Sequence, residues 1–194
     1  MPRVVIFDTE TTGLPKLRRI SAMDKKDNWP DLVSICWTVD EGTPRTHYHV
    51  IRPMGWTIAE EAAKIHGITT EAAMGGDDMR EVLTKFREDI RGADRIVAHN
   101  LDFDKNVILN AFLWRLKEPV TFWPDKADFC TAEMTKNVLK LPSKFPKPHD
   151  LYKIPSLNEL YEFTFKEPAP PNDHSAERDV DVLQKIYWKR WGKE

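Results

Sequence analysis

Asp8 and Glu10, two acids separated by one residue, follow directly on the apolar run Val4-Val5-Ile6-Phe7. A run rich in β-branched residues reads as a strand buried on both faces. Side chains at i and i+2 on a strand share a face, so both carboxylates leave the end of a core strand together. Repulsion and desolvation make that arrangement costly unless a cation lies between them. Hard divalent ions such as Mg²⁺ or Mn²⁺ suit carboxylate oxygens. Taken alone, the pair has a lesser alternative, a strand end with two solvated acids. Thr11 and Thr12 follow, with hydroxyls and backbone that could meet a polar ligand, and Gly13 turns the chain.

Two further acids stand where a structural role is hard to find. Asp104 lies on the helical stripe of Leu101, Val107, Ile108 and Ala111, and Asp179 on that of Ala176, Leu183 and Ile186. Acids on a core-facing stripe are rarely left unpaired. A salt bridge or a favourable place in the first helical turn would account for either one singly. Their neighbours Asp102 and Asp181 share faces with polar residues and read as solvated. With Asp8 and Glu10, the two fit a shared metal site. His174 is offset by five residues from Asp179, about 140° around a helix, so it belongs just before that helix. There it is free to swing over the site, where a neutral imidazole can act as general base.

The elements that position these residues follow from pattern. Leu32 to Val39 and Thr46 to Ile51 read as strands joined by a hairpin at Asp40-Glu41-Gly42-Thr43, forming an antiparallel meander with the first strand. Between them and the first strand, residues 15–31 read as a long loop carrying Lys16, Arg18, Arg19, Lys25 and Lys26. Such a loop either tracks a phosphate backbone or is solvated, balanced by Asp24, Asp27 and Asp31. Glu60 to His66 reads as a short helix ended by Gly67, and Met79 to Arg91 as an amphipathic helix through Val82, Leu83, Phe86 and Ile90. A short strand over Arg95 to Ala98 leads to a helix over Leu101 to Lys117, with Asn100 as its N-cap. Ala127 to Cys130 reads as a fifth strand and Thr131 to Leu139 as a helix. Lys140 to Pro155, with four prolines, reads as a second long loop. A helix capped by Ser156 with Glu159 follows, and after the stiff segment 166–172 a last helix runs from Ser175 to Trp191. A meander followed by alternating strands and helices argues an α/β, three-layer fold with a mixed sheet.

The chain has 194 residues and reads as a single domain over 1–194. Its net charge of −2 carries no electrostatic footprint of a protein that coats nucleic acid, and says little against an enzyme whose metal ions meet phosphate. Cys36 and Cys130 read as buried thiols of a reducing compartment. The expectation is an intracellular, cytoplasmic protein without signal peptide or membrane span.

FDTETTG with Asp8 and Glu10, HNLDFD with Asp104, and HSAERD with His174 and Asp179 together resemble the three motifs of the DnaQ-like, or DEDDh, 3′→5′ exonucleases, in order and spacing. Ile65 to Thr69 (IHGIT) resembles the proofreading-subunit branch. The resemblance implies a ribonuclease H-like fold and two divalent ions, Mg²⁺ or Mn²⁺. It implies that Asp8, Glu10 and Asp179 hold the first ion, that Asp8 bridges to the second, and that Asp104 holds the second through water. His174 would take the proton of the attacking water. Thr11 and Thr12 would approach the terminal 3′-hydroxyl, and Leu14 and Phe103 the terminal bases. Glu61 and His66 would lie on the same side, with Asn100 as cap and site-shaper. The implied substrate is the 3′ end of single-stranded or frayed DNA. RNA 3′ ends, or a non-catalytic nucleic-acid binding module, are the alternatives, and a polymerase partner is left open.

Overall fold

The computed structural model describes residues 2–17, 19–124, 127–148, 150–171 and 174–192. Strands β1 (Val4–Thr11), β2 (Leu32–Asp40) and β3 (Arg45–Val50) form the expected meander. Helices α1 (Glu60–His66), α2 (Thr70–Ala73) and α3 (Met79–Arg91) lead to β4 (Arg95–Ala98). Then come α4 (Leu101–Asn110), β5 (Asp128–Cys130), α5 (Thr131–Leu139), β6 (Pro142–Lys147), β7 (Asp150–Tyr152), α6 (Leu157–Phe165) and α7 (Ala176–Trp191). The five-stranded sheet has the order β3-β2-β1-β4-β5. The pairs β1/β2 and β2/β3 are antiparallel, whereas β1/β4 and β4/β5 are parallel. This is the mixed sheet of a ribonuclease H-like fold, with helices on both faces.

Alternation along β1 decides which helix meets which residue. Val5 and Phe7 point into a core with Ile35 and Trp37 of β2, Leu83 and Phe86 of α3, and Val107 and Ile108 of α4. Val4 and Ile6 point the other way, against Leu160 of α6 and Val182, Leu183 and Ile186 of α7. Fully burying each such aliphatic or aromatic side chain contributes roughly 1.5–3 kcal/mol, so the two packed faces hold the layers together. By the same alternation Asp8 and Glu10 fall on the α7 side and Thr9 on the α3/α4 side.

Several local expectations are corrected. Residues 140–155 are not a plain loop: β6 and β7 form a two-stranded ribbon, closed at its base by Lys153 N donating to the Leu141 carbonyl at 2.9 Å. The helix after β4 is α-helical to Asn110 and continues as a π-helical turn, Ala111–Leu116. Asn100 stands at its N-cap position in the left-handed region (φ 75°), and its side chain makes no capping bond. Cys36 is buried, as expected, but Cys130 is only half-buried.

The described residues of the 15–31 segment form no strand or helix but are tied down. Ala22 N donates to Asn106 Oδ1 (2.7 Å), Trp114 Nε1 to the Ala22 carbonyl (2.8 Å), and Trp29 Nε1 to the Ile20 carbonyl (2.8 Å). Asp31 does not balance the loop's own lysines; both of its oxygens accept from Arg115. Arg18 lies outside the described residues.

Candidate active site

The end of β1 runs beyond its parallel neighbour, since the β1/β4 ladder stops at Ile6↔Val97. Thr9, on the face toward α4, therefore takes its partner from that helix. Its backbone N–H and its hydroxyl both donate to Asp104 Oδ1, at 3.1 and 2.7 Å. Asp104 is 3% exposed. Burial drives its pKa up to about 7, although the two Thr9 bonds pull it down; Asp179 adds a smaller upward push.

On the other face Asp8 sits opposite Cys36 in the β1/β2 register. Its pKa is raised well above the ordinary carboxylate value, first by burial, then by repulsion from Asp104, Asp179 and Glu10. Acids from three separate segments thus converge electrostatically on Asp8. The field extends to Cys36, whose thiol is pushed up to about 12 by burial, Glu177 and Asp8.

Asp179 lies in the first turn of α7, whose N-cap Ser175 accepts from Arg178 N at 3.2 Å. Arg178 bends over its own helix to donate through Nη1 to Asp179 Oδ1 at 2.7 Å. Its remaining nitrogens reach Asn158 Oδ1 (2.7 Å) and the carbonyls of Pro170 and Pro171 (2.6 and 3.2 Å). One side chain thereby joins Asp179, α6 and the proline-rich lead-in. His174 is exposed, lies one residue before the cap, and has φ 52°, a left-handed conformation uncommon for a non-glycine residue. Asp173, beside it, lies outside the described residues.

Asp8 and Asp179 line a cavity of about 320 Å³ with His99, Ser156, Leu157, Asn158 and Arg178. His99 was not singled out from sequence. Its ring is held by Thr131 Oγ1 at Nδ1 and the Pro155 carbonyl at Nε2, both at 2.9 Å. Burial lowers its pKa, against upward pulls from the Pro155 carbonyl and Asp179. Its place at the C-terminal end of β4, beside the end of β1, was the available signal. Among the described residues no three acidic, histidine or cysteine side chains stand as a ready-made ion cage. Asp179 is turned to Arg178 and Asp104 to Thr9.

The remaining candidates spread around this centre. Thr11 donates its hydroxyl to the Gly13 carbonyl (2.7 Å), and Thr12 Oγ1 accepts from Asp31 N (3.0 Å), so both hydroxyls help shape the turn. Leu14 is 75% exposed, and Phe103 packs edge-on against Trp29. His66 is buried; its Nδ1 accepts from Ile68 N, and the Thr11 backbone influences its ring, placing it by the end of β1. Glu61 is exposed on α1. Asn100 lies not in the Asp8 cavity but in a larger adjoining groove of about 780 Å³ with Leu101, Arg19, Lys105 and Cys130. Asp102 is exposed, as its helical face required.

The RNase T exonuclease family matches residues 5–187. The chain belongs to that family.

Among solved structures, E. coli exonuclease I in complex with a dA16 oligonucleotide is similar, with a TM-score of 0.68 and 17% identity over 100% of this chain and 42% of that one. The zinc-bound form of the E. coli exonuclease I–single-stranded DNA complex matches with the same score, identity and coverage. An exonuclease I from Methylocaldum szegediense gives a TM-score of 0.66 and 17% identity, over 100% of this chain and 42% of that one. These likenesses establish the fold, and the chain spans less than half the length of those proteins. A search of curated protein sequences finds no match. Among the described residues no helix is long and apolar enough to cross a membrane.

Proposed function

We propose that this chain is a metal-dependent 3′→5′ exonuclease that removes nucleoside monophosphates from the 3′ ends of single-stranded DNA. The observation that carries the proposal is the convergence on Asp8 of repulsion from Glu10, Asp104 and Asp179, beside an open cavity. The exonuclease family supports the reaction, and the similar proteins that bind single-stranded oligonucleotides support the substrate.

The donor set fits hard divalent ions. Glu10, Asp104 and Asp179 each repel Asp8, Arg178 pairs with Asp179, and protonation is favoured at Asp8 and Asp104. Asp8, Glu10, Asp104 and Asp179 would hold Mg²⁺ or Mn²⁺. Such ions, when bound, neutralise charge developing on the phosphate and lower the pKa of the attacking water.

The protein's own groups do the rest. Thr9 fixes Asp104 by two hydrogen bonds, and Arg178 ties the Pro170 and Pro171 carbonyls, ahead of His174, to Asp179. An imidazole nitrogen of His174 takes the proton from the attacking water as general base. Leu14 and Phe103 contact the terminal bases, and Thr11 and Thr12 shape the pocket for the terminal sugar. Kinship with proofreading subunits is supported by Ile65–Thr69 and by His66 packing at the end of β1.

The test compares matched DNA and RNA oligonucleotides with wild type and Asp104→Asn in Mg²⁺. The proposal expects rapid DNA hydrolysis by wild type, lost by orders of magnitude in the variant. Hydrolysis of RNA alone would move the substrate to RNA. Equal hydrolysis by both proteins would remove the site.

A further inference from the structure

We propose that the β6–β7 ribbon is a substrate arm, which grips the single strand upstream of the scissile bond by stacking a base on Phe145 and pairing phosphates with Lys144 and Lys147. The inference rests on the reading of the chain as a single-strand exonuclease and deepens it.

Three observations carry it. First, Phe145 is 85% exposed, more than any other large apolar side chain among the described residues. It sits in an irregular part of the ribbon, where the five steps from Pro142 to Lys147 on β6 are spanned by two on β7. The bulge carries the ring away from any core. Pro142, Pro146 and Pro148 stiffen this segment, so presenting the ring costs little conformational entropy.

Second, the ribbon is basic while the chain as a whole is slightly acidic. Lys144 and Lys147 are exposed and make no salt bridge among the described residues. The one acid of the ribbon, Asp150, is already paired with Lys136 of α5 at 2.5 Å. Lysines and prolines also guard exposed strand edges against pairing, but edge protection gives no reason to expose a phenylalanine between them. An aromatic ring flanked by cations is the chemistry of single-stranded nucleic-acid binding, where rings stack on bases and cations follow the backbone.

Third, the arm is rooted at the catalytic cleft. Lys153, which closes its base, is two residues from Pro155, whose carbonyl holds His99, and three from Ser156, which lines the cavity with Asp8 and Asp179. Arg19, on the groove beside that cleft, acts electrostatically on the Lys136–Asp150 pair, so the basic 15–31 segment and the ribbon border the same surface.

The experiment measures binding of a fluorescent twelve-nucleotide deoxyadenosine strand to the full chain in Ca²⁺, beside hydrolysis of that strand and of a dinucleotide in Mg²⁺. Phe145→Ala should weaken binding of the long strand about 5- to 150-fold, the range for losing one base stack, and Phe145→Trp should restore it. Lys144→Ala with Lys147→Ala should lower the slope of log affinity against log salt by about 1.4, two phosphate contacts on a single strand. Dinucleotide hydrolysis should be unchanged in all three variants, because two nucleotides do not reach the arm. If wild type binds and degrades the long strand and the variants match it, the arm is overturned while the exonuclease reading stands. If wild type neither binds nor degrades it, both fall. Equal loss on dinucleotide and long strand would also overturn the arm, since the ribbon would then act through the cleft.

Discussion

Replacing Asp104 by asparagine should stabilise the metal-free protein at alkaline pH while removing its activity. Asp104 is 3% exposed, and burial raises its pKa from 3.8 to about 7. A carboxyl raised in the folded state holds its proton more tightly there than in the unfolded chain. Its contribution to stability is therefore fully present below about pH 4 and is lost as the pH climbs through about 7. At about 1.36 kcal/mol per unit, the loss by pH 8 is at most about 4 kcal/mol, and coupling to Asp8 makes about 2–4 kcal/mol a fair range. Asparagine keeps the acceptor for the Thr9 N–H and hydroxyl but never ionises. For a chain of this size the variant should melt roughly 5–15 °C above wild type at pH 8 in chelator. The two should melt close together near pH 4. Thermal denaturation across that range, followed by circular dichroism, gives the answer. Parallel curves for the two proteins, or a less stable variant at pH 8, would refute a buried, destabilised carboxylate at this position.

Asp102→Asn should leave activity within about twofold of wild type, because Asp102 is exposed and its Oδ1 merely accepts from Asn106 at 3.2 Å; kinetics beside Asp104→Asn check the helical register. His174→Ala should lower kcat strongly but leave metal and oligonucleotide affinity near wild type. If wild-type rate rises with pH, that rise should flatten in it, whereas an unchanged pH–rate profile would remove the general-base role. Arg178→Gln should release both Asp179 and the Pro170–Pro171 segment, lowering kcat more than it raises KM, with Arg178→Lys only a weak rescue because one ammonium cannot replace the forked contacts. Chelator should abolish hydrolysis and Mg²⁺ or Mn²⁺ restore it. Ca²⁺ should inhibit, its looser geometry supporting in-line attack poorly.

The acids were legible in the sequence because each broke a pattern. Asp8 and Glu10 end an apolar strand, and Asp104 and Asp179 interrupt apolar helical stripes. In the structure Asp104, Asp179 and Glu10 all push the pKa of Asp8 upward. The meander and α3 were legible for the complementary reason, an unbroken period. What escaped reading had no period to show. Three prolines and alternating lysines hid the β6–β7 ribbon, whose ladder is too irregular to impose alternation. Arg178 escaped because adjacent residues on a helix do not face each other, and only its long side chain, curling back, reaches Asp179. His99 escaped because its role depends on which strand lies beside β1, a matter of topology. Asn100 was read as a cap from residue type, but its left-handed backbone carries the side chain away from the helix amides it would bond.

Direction of attack is the most direct test of the central claim. The same single-stranded DNA is labelled at its 3′ end in one sample and its 5′ end in another, and both are followed in Mg²⁺ with a chelated control. The account predicts immediate release of the 3′ label as a mononucleotide. The 5′ label should stay on a ladder that shortens one nucleotide at a time, with no reaction in chelator. Early release of the 5′ label, or cleavage that persists without metal, would contradict it.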